Sequence, residues 1–65
     1  MKLTIVIEMN NAAFEESPTG ETWRILRALA TAILNNGFTP LEGKGGYKIY
    51  DINGNACGAA KLRKD

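Results

Sequence analysis

With 65 residues the chain has room for one domain, residues 1–65, and its core must be thin. Eight Lys and Arg against seven Asp and Glu give a net charge of +1, which leaves no strong field for nucleic acid or an anionic membrane. A single cysteine, Cys57, and no histidine exclude an internal disulfide and the usual zinc ligand sets. No cofactor or metal is therefore expected, and the extra stability that small scaffolds need is expected from self-association, as a homodimer.

Lys2 to Glu8 alternates with a period of two and is rich in β-branched residues, which predicts a strand. Leu3, Ile5 and Ile7 form its wholly apolar face. Lys2, Thr4, Val6 and Glu8 point the other way. The run Ile5-Val6-Ile7 is far shorter than the roughly 20 apolar residues of a membrane span, so no membrane contact is expected. The N-terminus has no long apolar region and no small-residue cleavage site, and does not read as a signal peptide. A lone thiol fits a reducing cytoplasm.

Met9 to Thr19 reads as a connection, with Phe14 as an apolar anchor into the core or, alternatively, an exposed contact residue. A helix follows. Ser17 is its N-cap and Pro18 its first residue, with Thr19 or Gly20 as alternative starts. Asn35-Asn36-Gly37 ends it. At about 100° per residue, Thr22, Ile25, Leu26, Leu29, Ala30 and Ile33 share a core face, and Arg24, Thr31 and Asn35 lie opposite. Trp23, Arg27 and Leu34 fall on the border. Trp23 and Arg27 are four apart, so the guanidinium can lie over the indole. The pair either seals the edge of the core or forms an exposed anchor of the kind enriched at binding hot spots.

Phe38 to Leu41 is expected as a short extended segment, confined by Pro40 to an edge or loop. Gly43-Lys44-Gly45-Gly46 is a turn. Tyr47 to Ile52 then runs into Asn53-Gly54, the preferred pair for a two-residue type I′ hairpin, and returns from Asn55 to about Leu62. That register sets Tyr50 opposite Cys57 and Ile52 opposite Asn55. Tyr47, Ile49, Gly58, Ala60 and Leu62 would face the helix, with the small residues leaving room for it.

The fold class predicted is α+β, with a single helix on one face of a small, mostly antiparallel sheet in the order β-α-(short β)-β-β. The opposite sheet face, with Val6, Tyr50, Ile52 and Cys57, is the first candidate partner-binding surface, and the Trp23–Arg27 helix edge the second.

Catalytic signals are weak, and the chain is not expected to be an enzyme. Cys57 has no histidine to activate it. The glycine turn precedes a strand, whereas a phosphate loop precedes a helix. Asp51-Ile52-Asn53-Gly54-Asn55 resembles the start of a calcium loop, but Ala56 and Leu62 occupy the positions where that loop needs Gly and an acid. Lys48, Lys61, Arg63 and Lys64 support nucleic-acid binding as an alternative, but Tyr47 and Tyr50 point to opposite faces and form no common stacking platform.

Three stretches, Asn11-Ala12-Ala13-Phe14-Glu15, Trp23 to Ala30 and Asp51 to Gly58, resemble small uncharacterised proteins encoded by phages and prophages of proteobacteria. The resemblance omits Phe38 to Gly46. It implies a phage context in the cytoplasm of a host cell and carries over no functional residues. The expected function is that of an accessory protein that binds a host protein, such as an inhibitor of a defence system of the anti-CRISPR kind or of a host enzyme. A purely structural homo-oligomer is the other alternative.

Overall fold

Lys2–Ile7 forms β1, Ala12–Glu16 α1, Pro18–Asn36 α2, Thr39–Glu42 α3, Tyr47–Tyr50 β2 and Ala56–Arg63 β3 in a computed structural model that describes residues 1–64. The fold is α+β. Its antiparallel sheet has the order β1-β3-β2, so the last strand is central. The core face of β1 is the one its alternation predicts. Leu3, Ile5 and Ile7 stand opposite Leu62, Ala60 and Gly58, and across β3 lie Tyr47 and Ile49. Ala60 and Ile49 are fully buried, which marks this side as the core.

Two adjoining clusters make up that core. Phe14, Ile25, Ile49 and Cys57 pack together, and Leu29, Leu41 and Ala60 form the second. Tyr47 touches both.

α2 starts after Ser17 with Pro18 in its first turn, and it ends at Gly37, whose N–H donates to the Ile33 carbonyl at 2.8 Å. Its rotation differs from the predicted one. The buried side chains are Glu21, Ile25 and Leu29, while Leu26 and Ala30 are exposed. The helix turns toward Glu21 because that carboxylate has polar partners inside the fold.

Two segments expected as non-helical are short helices. The Met9–Thr19 connection contains α1, which carries Phe14 into the core as the expected anchor. The segment expected as short and extended, Phe38 to Leu41, overlaps α3 instead. Pro40 lies in its first turn, where the fixed φ suits a helix and the missing N–H costs nothing. Leu41 is thereby buried against Leu29 and Ala60.

The hairpin also differs. β2 ends at Tyr50, so Ile52 belongs to the turn and not to a strand. Among the described residues none other than glycine has a positive φ, which rules out a type I′ turn at Asn53-Gly54. A three-residue loop, Ile52 to Gly54, links Asp51 to Asn55, with Gly54 alone at φ +87°. One Asp51 oxygen accepts the backbone N–H of both Asn53 and Asn55 at 2.9 Å and so closes the loop.

A bulge follows from this. Ile49 pairs with Gly58, but Tyr50 pairs with Ala56, which leaves Cys57 as the extra residue. The bulge turns Cys57 into the core, away from the open face where it was expected. The close approach at Gly58 is also made by a different element. A Cβ there would lie 1.9 Å from the Val6 carbonyl oxygen, so it is the β1 backbone that needs the glycine.

Candidate functional site

The six candidate partner-binding residues separate into three places. Cys57 is 4% exposed, and burial raises its thiol pKa, so it offers no contact surface. Val6 and Tyr50 are exposed on the open sheet face. Trp23 and Ile52 line one groove at the start of α2, and Arg27, one turn along the helix, lies over the Trp23 ring.

The register shows that the open face is more cationic than apolar. Lys2 stands opposite Arg63, Thr4 opposite Lys61, and Val6 opposite Ala59, which in turn faces Lys48. With Ile52 in the turn and Cys57 buried, only Val6, Tyr50 and small residues give this face apolar surface.

The helix presents a stronger apolar feature. Its buried side is centred near Ile25 and Leu29. At 3.6 residues per turn, Trp23, Arg27, Ala30 and Leu34 lie within a narrow band on the opposite side. All four are exposed, Trp23 at 60%. The solvent-facing side of an amphipathic helix is ordinarily polar. Here it carries a tryptophan and a leucine, with Leu26 exposed at the margin. The Arg27 guanidinium carbon lies 5.2 Å from the Trp23 ring centroid, so the predicted stacking is present, on the surface and not at a core edge.

At its N-terminal end this stripe opens into a groove of about 480 Å³ between α1, the start of α2 and the hairpin loop. Ala12, Ala13, Trp23 and Ile52 supply apolar walls, and Glu21 and Arg24 the polar ones. Ile52 is 69% exposed at its rim.

A partly buried ionic cluster fixes the geometry of the groove. Arg24 donates to Glu21 through Nε at 3.0 Å and Nη2 at 2.8 Å, a bidentate pair. The Ile52 N–H donates to the Glu21 carboxylate at 2.9 Å, and Arg24 Nη2 donates to the Tyr50 carbonyl at 3.2 Å. The first turn of α2 is thus tied to the end of β2 and to the loop. The Arg24 hydrogen bonds lower the Glu21 pKa, against the opposing effect of burial, and the Ile52 N–H adds to the lowering. The Asp51 pKa is lowered first by the Asn55 N–H.

Glu21, Arg24 and Asp51 are absent from the six candidate partner-binding residues read from the sequence. For Glu21 a signal exists, since it sits one turn before Ile25 on the same helix side. Arg24 was expected opposite the core and is half-buried beside Glu21. Comparison with protein-family models, with curated proteins and with solved structures found no match.

Proposed function

We propose that the chain is a binding module that docks onto a protein partner through the exposed stripe of α2 and the groove at its start. The observation that carries this reading is the composition of the solvent side of α2: Trp23, Arg27, Ala30 and Leu34 at helical spacing, directly opposite the buried side. Anchors spaced by three, four and seven residues suit a helix laid into a partner's hydrophobic groove. Trp and Arg are also the residue types that dominate binding energy when a partner desolvates them. Ile52 and the groove extend the contact past the helix start.

The partner proposed is a host protein in the cytoplasm, following the resemblance to phage-encoded proteins. The effect proposed is occlusion of that partner's working surface, which requires no catalytic group on this chain. Capture from a proteobacterial lysate tests the reading. The wild-type chain should retain a partner that Trp23→Ala and Leu34→Ser both release, while Val6→Asp still retains it. Equal retention by all four chains would remove the helix stripe as the binding surface.

A second reading has its own observation. Lys2, Lys48, Lys61 and Arg63 project from the open sheet face, where a single-stranded nucleic acid could run past Tyr50. Lys64, the fourth cation of the sequence-based reading, is ion-paired with Glu42. Fluorescence anisotropy with a labelled oligonucleotide decides it. Binding that weakens steeply with salt supports it, and no binding at low salt removes it.

A further inference from the structure

β1 is an edge strand, and its outer side is a self-complementary sequence. The Glu8 N–H donates to the Cys57 carbonyl at 2.7 Å, so the even-numbered residues of β1 turn their main-chain groups toward β3. Leu3, Ile5 and Ile7 therefore turn theirs outward, on the side where, among the described residues, the sheet has no further strand. The stretch from Leu3 to Ile7 contains no charge and no proline, and β1 pairs with β3 without a bulge. It lacks the devices that keep natural edges from pairing. Leu3 and Ile5 also remain 43% and 39% exposed, although they lie on the core side of the sheet. The chain's own helices do not cover them.

We propose that β1 pairs antiparallel with β1 of a second copy, about a two-fold axis at Ile5, to give a six-stranded sheet. In that register Ile5 meets Ile5 of the second copy, Leu3 meets Ile7, and Thr4 meets Val6. Lys2 meets Glu8. The two charges that bracket the strand then become two symmetric ion pairs, one at each end of the interface. Within the chain, neither Lys2 nor Glu8 has an ion pair among the described residues.

The charges also select the register. Side chains on the same face must meet, so the pairing can shift only by moving the axis to the next compatible position. An axis at Thr4 sets Lys2 against Val6 and leaves Glu8 beyond the paired region. An axis at Ile5 satisfies the outward main-chain groups of Leu3, Ile5 and Ile7 together. It also brings Leu3 and Ile5 of both copies into one continuous apolar row on the helix side. This interface uses neither the α2 stripe nor the groove, so it stands independently of the proposed partner site.

Sedimentation velocity at micromolar concentration tests the proposal, with circular dichroism confirming that each variant is folded. The wild-type chain should sediment as a dimer of the 7.1 kDa chain. Lys2→Glu and Glu8→Lys each create two like-charge pairs and should raise the dissociation constant on the order of thirtyfold. The double variant K2E/E8K should restore the dimer. An equimolar mixture of the two single variants should form a heterodimer tighter than either homodimer. A monomeric wild type overturns the proposal, and so does a dimer whose affinity none of these substitutions changes. A dimer lost in both single variants but not recovered in K2E/E8K or the mixture overturns the register.

Discussion

The carboxylate of Glu21 accepts the backbone N–H of Ile52 at 2.9 Å, across 31 positions of sequence. This one contact ties the helix start to the hairpin loop, and the groove lies between them. Glu21 is 6% exposed and also holds Arg24 in a bidentate pair. Glu21→Ala leaves the Ile52 N–H and the Arg24 guanidinium without their acceptor. It should cost about 2–3 kcal/mol, read as a lower urea midpoint with an unchanged slope. Arg24 is partly solvated and keeps water as a substitute, which holds the loss at this level.

Acid should weaken the fold through Glu21 and Asp51. Both have folded-state pKa values lowered from 4.5 and 3.8 respectively. A lowered carboxylate pKa contributes stability that is fully present above the unfolded value and is lost as pH falls through the folded one. Stability should therefore be flat from neutral pH down to about pH 5 and fall below the unfolded values. Urea midpoints measured across this range check the slope. Asp51→Asn should flatten part of it and lower the midpoint at neutral pH.

Gly58→Ala should destabilise by about 1–3 kcal/mol, because a Cβ 1.9 Å from the Val6 carbonyl oxygen forces β1 away from β3. The displaced groups are backbone, so no rotamer change can relieve them. Thermal denaturation measures the loss. Gly43→Ala is the control. A Cβ at Gly43 meets no atom within 4 Å and its φ is −71°, so its midpoint should hardly move.

The strand faces and the limits of the long helix were legible in the sequence, because each follows from local chemistry. Alternation placed Leu3, Ile5 and Ile7 on the core side, and Ser17-Pro18 and Gly37 bracketed α2. The candidate site was legible only in part. For Trp23 and Arg27 the sequence left a core edge and an exposed anchor both open, and Ile52 was expected on the sheet face; that Trp23 and Ile52 line one groove depends on where the hairpin loop folds back. Cys57 was misplaced because a single bulge reverses its side, and the bulge arises from the three-residue loop that Asp51 closes. The rotation of α2 was missed because hydrophobicity ranks Leu26 above Glu21. Glu21 nevertheless gains the buried position, since its hydrogen bonds to Arg24 and Ile52 offset its desolvation.

Removing the exposed anchors should leave the fold intact. Trp23→Ala and Leu34→Ser each change a solvent-facing side chain outside the core clusters. Their unfolding midpoints should match wild type within about 0.5 kcal/mol, checked in urea. A loss of partner capture in these variants then reports on the surface and not on stability.

The most direct test of the docking surface uses the single tryptophan of the chain. With 5-fluorotryptophan incorporated, one fluorine NMR resonance reports on position 23. In the free protein the resonance should respond to exchange of the solvent from water to heavy water, as an exposed indole does. On addition of the captured partner it should shift, and that solvent response should be suppressed. An unshifted resonance that stays solvent-responsive in the assembled complex would contradict the account, since the partner would then be bound with Trp23 still in water.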